Sequence, residues 1–168
     1  MEINMENANF KTAYFAGGCF WGVENLFQKL DGVLFVQSGY MGGTDDNPSY
    51  EDVIYRNSGH FETVKVEYDP EKITYEKLVR YFFEIHDFSQ ENGQGPDIGY
   101  QYLSVLFPQT SDEVHFSREI ISELENLGFH VATRIVKCDR FFPAEDYHQN
   151  YYNRTRKIPY CHSYRKIF

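Results

Sequence analysis

Cysteine is scarce in this chain. There are three among 168 residues, and no two of them form a Cys-x-x-Cys pair. That excludes a scaffold built on disulfides and a zinc ribbon, both of which need paired cysteines at fixed spacing. Cys19, Cys138 and Cys161 are therefore read as separate thiols in a reducing compartment. Cations are short as well, with 16 Lys and Arg against 25 Asp and Glu, for a net charge of −9. Holding a phosphate backbone takes clustered cations, so nucleic acid is excluded as the main ligand, and the acidity reads as an aid to solubility. No apolar run reaches the length of a bilayer, which removes a membrane partner. Residues 1–10 lack the basic and apolar blocks of a signal peptide, so a cytoplasmic protein is expected. The histidines offer no His-x-x-x-His pair, so no metal site is expected, and repeats and low-complexity runs are absent.

What is present is enough chain for one core. A single domain over residues 1–168 is expected, with 1–10 a loosely ordered N-terminal segment and 155–168 an irregular tail carrying Cys161. The most informative stretch is Gly17-Gly18-Cys19-Phe20-Trp21-Gly22. Before it, Thr12 to Ala16 reads as a strand; behind it, Phe20, Val23, Phe27 and Leu30 recur at helical spacing. Cys19 then falls at a helix N-terminus, where unpaired N–H groups and the dipole favour a thiolate, the nucleophilic form. A free cysteine is more often a small buried hydrophobe, but the Gly-Gly turn and the neighbouring aromatics favour chemistry here.

The remaining elements follow from periodicity and punctuation. A helix over Phe20 to Leu30 leads to a strand from Val33 to Tyr40, a loop over Met41 to Ser49 and a helical turn from Tyr50 to Arg56. Phe61 to Tyr68 alternates as a strand, and Tyr75, Leu78, Val79, Phe82 and Phe83 mark an amphipathic helix ending near His86. Asp87 to Tyr100 has no periodic signal, and loops of that length are usually functional. A strand from Tyr102 to Phe107, a helix from Ser111 to Leu127, a strand from Val131 to Val136 and a helix from Ala144 to about Arg154 complete the chain. This order predicts an α+β two-layer sandwich, with a mixed sheet on a βαβ-βαβ (ferredoxin-like) core.

Several motifs then act together: Gly39-Tyr40-Met41-Gly42-Gly43, Asn47-Pro48-Ser49-Tyr50, Gly59-His60-Phe61-Glu62, Gln94-Gly95-Pro96-Asp97-Ile98-Gly99, Gln101-Tyr102-Leu103-Ser104 and Ala144-Glu145-Asp146-Tyr147-His148-Gln149. With the cysteine motif, in this order and over most of the chain, they resemble the peptide methionine sulfoxide reductase A family. The resemblance implies reduction of methionine S-sulfoxide, free or in proteins, by a cysteine that becomes a sulfenic acid. It makes Cys19 the nucleophile, Phe20 and Trp21 the apolar pocket for the S-methyl group, and Glu62 the acid. Tyr50 and Tyr102 become binders of the sulfoxide oxygen and Asp97 a supporting carboxylate. It implies no cofactor, only an external reductant, thioredoxin or dithiothreitol.

The chemistry itself calls for such residues. A sulfoxide sulfur is a poor electrophile until its oxygen is protonated or strongly hydrogen-bonded, so a thiolate needs donors beside it. Glu62 can donate only if burial and a nearby thiolate raise its pKa. Phenols donate without ionising near neutral pH. Taken singly, the same residues have plain explanations: Glu62 could be a solvated strand position, and Tyr50 and Tyr102 are two of 14 tyrosines, so neither stands out alone. Pro96 removes an N–H and biases Gly95 toward extended geometry, which could shift Asp97. A papain-like hydrolase using Cys19, His148 and Asn150 or Asn153, and a binding module using Trp21, Tyr50 and Tyr102, are the competing readings.

Oxidised Cys19 must return to a thiol, and a sulfenic acid condenses with a nearby thiol. Cys138 follows a strand and precedes Phe141-Phe142, which fits a packing residue. Cys161 lies beyond Pro159 in the tail, close in sequence to Arg154, Arg156, Lys157, Arg165 and Lys166, whose charge should favour its thiolate. Cys161 is the expected resolving cysteine.

Overall fold

The sheet is set by strands in which adjacent residues serve opposite faces. A computed structural model describes residues 9–168, so most of segment 1–10 lies outside the described residues. In β1 (Lys11–Gly17), β2 (Val33–Met41) and β6 (Ser104–Leu106), Phe15, Tyr40 and Leu106 enter the main core. Their neighbours Ala16, Met41 and Val105 enter a smaller cluster with Phe61 of β3 (Phe61–Tyr68). This is the period-2 alternation of a sheet covered on both sides.

The helices supply the rest of the main core. α1 (Phe20–Gln28) contributes Phe20, Val23 and Phe27, and α3 (Tyr75–Glu84) contributes Leu78, Val79, Phe82 and Phe83. Ile120 and Leu124 come from α4 (Ser111–Asn126). Each start is marked in the sequence. Thr74 and Thr110 accept backbone N–H bonds as N-caps, and Ser49 with Asp52 forms a capping box for α2 (Tyr50–Tyr55).

Two βαβ units interleave in one sheet. With β7 (Arg134–Ile135) and β8 (Phe141–Pro143), the strand order among the described residues is β7-β6-β1-β3-β2-β8, and of the hydrogen-bonded neighbours in this sheet only β6 and β7 are parallel. The expected mixed sheet with helices packed on it is therefore present. The order places the C-terminal end of β1, hence Cys19, near the start of β3, hence Glu62.

Three expectations need correction. The stretch 87–100 is not featureless: β4 (Gly93–Gln94) and β5 (Asp97–Ile98) pair as a small ribbon. The strand expected over 131–136 shrinks to Arg134–Ile135, because the Ala132 amide turns to the Phe88 carbonyl at 2.7 Å. The helix expected over 144–154 is broken into a 3₁₀ turn, Asp146–His148, and α5 (Tyr151–Thr155). Asn150 sits between them at φ 52°, in the left-handed region asparagine tolerates, and its amide bonds Glu24 Oε1 at 2.7 Å. A tertiary hydrogen bond thus overrides local helical preference. Among the described residues no helix is long and apolar enough to cross a membrane.

Candidate active site

Cys19 is the N-cap of α1, as its sequence context predicts. The turn before it needs glycine: Gly18 has φ +95°, and a Cβ there would lie 2.5 Å from the Gln94 side chain. Gln94 is itself fixed, accepting from the Asp87 amide and donating to the Asp87 carbonyl. The result is a thiol held at the junction of β1, α1 and the β4-β5 ribbon, only 7 % exposed.

Glu62 stands at the start of β3 and is 2 % exposed, so it is not a solvated strand position. The Phe20 amide donates to its Oε1 at 3.2 Å, which ties the acid to the first turn of the cysteine helix. Its pKa is raised well above the usual carboxyl range, first by burial and then by the Cys19 charge, against the Phe20 N–H. Burial and the neighbouring thiol thus both favour the neutral form of Glu62.

Tyr50 and Tyr102 converge on the same place from different elements, the first residue of α2 and the end of a 3₁₀ turn over Tyr100–Tyr102. Both phenols are raised by burial and next by Glu62, and both feel Cys19, so they remain protonated donors. Glu145 anchors Tyr50, accepting from the Tyr50 amide at 3.1 Å and from the Tyr40 hydroxyl at 2.9 Å.

The two apolar residues have unequal positions. Phe20 is 1 % exposed and belongs to the core, against Tyr40 and His148. Trp21 is only half-buried; Tyr151 stacks on it at 3.7 Å, and its Nε1–H donates to His148 Nδ1 at 3.0 Å. His148 is thus spent on holding the indole, which deprives the papain-like reading of its base.

Asp97 reaches the site despite Pro96, since Gly95 takes φ +56° and turns the chain. One Asp97 carboxylate oxygen and the Cys19 and Cys161 sulfurs all lie within 4.8 Å of one another, a trio that also has the donor types of a cation site. Burial raises the Asp97 pKa, and its Oδ2 is buried without a partner.

The tail brings Cys161 back onto Cys19. It is irregular after Thr155 but docked, with the Arg165 amide on the Glu84 carbonyl at 2.7 Å and the Ile167 amide on Glu84 Oε2 at 2.9 Å. Hydrogen bonding to Cys161, then burial, push the Cys19 thiol up, and the Trp21 N–H opposes this. The same bond, with Cys19 donating, pulls Cys161 down. Two expectations change here. The helix terminus does not by itself make Cys19 a thiolate while Cys161 is beside it. Nor is a tail cation among the main causes of the Cys161 shift, and two of them are engaged elsewhere: Arg154 bonds the Gln149 and Tyr147 carbonyls, and Lys157 the Tyr151 hydroxyl at 2.9 Å. Cys138 packs with Ala16, Met41 and Phe61 in the smaller cluster, its thiol directed to the Arg140 carbonyl.

Sequence reasoning missed Glu24 and His162. Glu24 is buried in α1, accepting from the Asn150 amide and the Ser38 hydroxyl; the available signal was a lone carboxyl on an apolar helix face. For His162 there was no signal.

Two thiols within 4.8 Å of each other, one capping a helix beside a carboxyl whose neutral form burial favours, can pass electrons as a dithiol pair, which is the chemistry of a thiol-based oxidoreductase. The sequence model of the family described as peptide methionine sulfoxide reductase matches residues 11–167. The peptide methionine sulfoxide reductase MsrA of Vesicomyosocius okutanii is 42% identical over 151 residues, 90% of this chain and 91% of that protein. The crystal structure of Mxr1 from Saccharomyces cerevisiae in reduced form superposes with a TM-score of 0.88 at 33% identity, covering 95% of this chain and 94% of that one. Mxr1 in complex with Trx2 gives 0.64 at 26% identity, over 98% and 96%. The chain belongs to the peptide methionine sulfoxide reductase family and is a peptide-methionine (S)-S-oxide reductase.

Proposed function

We propose that the enzyme reduces methionine S-sulfoxide, free or in proteins, through a Cys19 sulfenic acid that Cys161 converts to a disulfide for thioredoxin to reduce. The observation that carries this reading is the placement of the Cys161 sulfur within 4.8 Å of the Cys19 sulfur, with the neutral Glu62 bonded to the first turn of the same helix.

The steps follow from the site. Entry of substrate displaces Cys161, which removes the largest cause of the raised Cys19 pKa and lets the helix terminus favour the thiolate. The thiolate bonds to the sulfoxide sulfur while Glu62, supported by Tyr50 and Tyr102, gives a proton to the oxygen. The methionine S–O bond then breaks as the oxygen passes to the Cys19 sulfur, and the transient S–S bond breaks with its electron pair returning to the methionine sulfur; thiolate, sulfoxide and the Glu62 proton become sulfenic acid and thioether, so atoms and charge balance. Trp21 and the edge of Phe20 meet the S-methyl group, and Asp97 supports the proton balance around the two sulfurs. Both electrons come from thiols, so no cofactor is needed, and dithiothreitol can replace the protein reductant. Such chemistry suits a reducing compartment such as the cytoplasm.

Reaction of Cys161→Ser with methionine sulfoxide, followed by dimedone and peptide mapping, tests the reading. A dimedone adduct on Cys19 is expected, and Cys19→Ser should form no methionine. An adduct on Cys138, or turnover by Cys19→Ser, overturns it.

A further inference from the structure

His162 lies beside the resolving thiol in a cavity shaped for its ring. Its Nε2 is 2.6 Å from the Gly17 carbonyl oxygen. A carbonyl can only accept, so Nε2 carries the hydrogen, and the neutral imidazole keeps its lone pair on Nδ1. Nδ1 is 3.1 Å from Cys161 Sγ, with the thiol as donor.

We propose that His162 is the general base of the resolving step, its Nδ1 taking the Cys161 proton as the Cys161 sulfur attacks oxidised Cys19. This rests on the reading of Cys161 as the resolving cysteine.

The cysteine motif is built around this ring. A Cβ at Gly22 would lie 2.2 Å from Nδ1, and one at Gly18 would lie 3.3 Å from Nε2. Glycine inside a helix is unfavourable, and at position 22 the cost is met because any side chain would evict the imidazole. His162 is 8 % exposed, and burial lowers its pKa, so it stays in the basic, unprotonated form. The groups facing it are Cys19 at the α1 terminus, Cys161, Asp97 of β5, whose charge favours the imidazolium, and His86 after α3. His86 is itself neutral and engaged with the Phe82 carbonyl and the Ser104 hydroxyl.

A base is needed at this step. In the reduced pair the Cys19 S–H lowers the pKa of the Cys161 thiol and so eases its ionisation, but oxidation of Cys19 removes that S–H. His162 Nδ1 then accepts the Cys161 proton, the S–S bond forms and the S–O bond breaks. The electron pair of that bond leaves on oxygen as hydroxide, which takes up one proton to become water. One thiol and one sulfenic acid give one disulfide and one water, with no other oxidant.

Rapid-quench single turnovers, counting methionine and free thiols together, test the proposal. His162→Gln can still donate to Gly17 but cannot hold the proton. At neutral pH it should slow thiol loss about a hundredfold relative to methionine release. Raising the pH through the ordinary thiol pKa of about 8.5 should restore the rate, since hydroxide then ionises Cys161. Disulfide formation at the wild-type rate, or a deficit equal at every pH, overturns the proposal. Should His162→Gln not fold, the unaltered protein decides the matter: a disulfide step flat between neutral pH and the thiol pKa supports the base, and a tenfold rise per pH unit overturns it. Disulfide formation by Cys161→Ser instead refutes the resolving role of Cys161, a failure distinct from that of His162.

Discussion

The Phe20 amide and Glu62 Oε1, 42 residues apart in sequence, meet at 3.2 Å. Because Oε1 accepts this N–H, the proton of the neutral carboxyl is left to Oε2. An N–H bond stabilises the anion, yet burial is the larger effect and the pKa stays well above the ordinary value. One bond therefore fixes which oxygen of Glu62 donates and where the donor stands relative to the Cys19 helix.

Glu62→Gln should slow methionine formation by about a hundredfold or more, the usual scale of general acid catalysis. The raised pKa sets the sign of the pH dependence. Glu62 holds its proton below the raised pKa, and activity falls as pH rises through it. The variant should lack that limb, and single-turnover rates across pH will show whether it does.

Cys161→Ser should form about one methionine per enzyme and then stop with thioredoxin, whose dithiol needs a disulfide to attack. The unaltered enzyme should yield a Cys19–Cys161 linked peptide after one turnover. Sustained cycling of the variant, or a Cys19–Cys138 peptide, would count against this assignment.

Stereochemistry follows from three points of contact. A sulfoxide is a fixed pyramid, so methyl on Trp21 and Phe20 with oxygen on Glu62, Tyr50 and Tyr102 presents one hand to Cys19. Exhaustive treatment of racemic methionine sulfoxide should leave the R epimer on chiral chromatography; equal consumption would refute the three-point pocket.

Glu24 makes a prediction for stability. Burial raises its pKa from 4.5 to about 7, opposed chiefly by the Asn150 amide. The folded state thus binds its proton more tightly than the unfolded state. The stability this confers is full below about pH 4.5 and lost as pH rises through about 7. Glu24→Gln, always neutral, should melt above the unaltered protein at alkaline pH and match it at pH 4. Thermal unfolding at several pH values measures this, and a variant less stable at alkaline pH would refute it.

The strands Lys11–Gly17, Val33–Met41 and Phe61–Tyr68 and the helices starting at Phe20, Tyr75 and Ser111 were legible because their signals are local. Alternation, 3.6-residue spacing and caps act within one or two turns of the chain. The cysteine at a helix start was likewise legible locally, whereas Glu62, Tyr50, Tyr102 and Asp97 became candidate site residues only through the family resemblance that the combined motifs carry. What depended on distant partners was not legible. The break at Asn150 comes from a bond to Glu24 across 126 residues, and the state of Cys19 from a thiol in the tail. The seat of His162 comes from a carbonyl 145 residues away. Sequence by itself determined the elements and the kinds of side chain that chemistry could use. Only tertiary structure decided which carboxyls are buried neutral, which thiols touch and which imidazole faces them, since desolvation and hydrogen bonding depend on neighbours brought together by packing rather than by order along the chain.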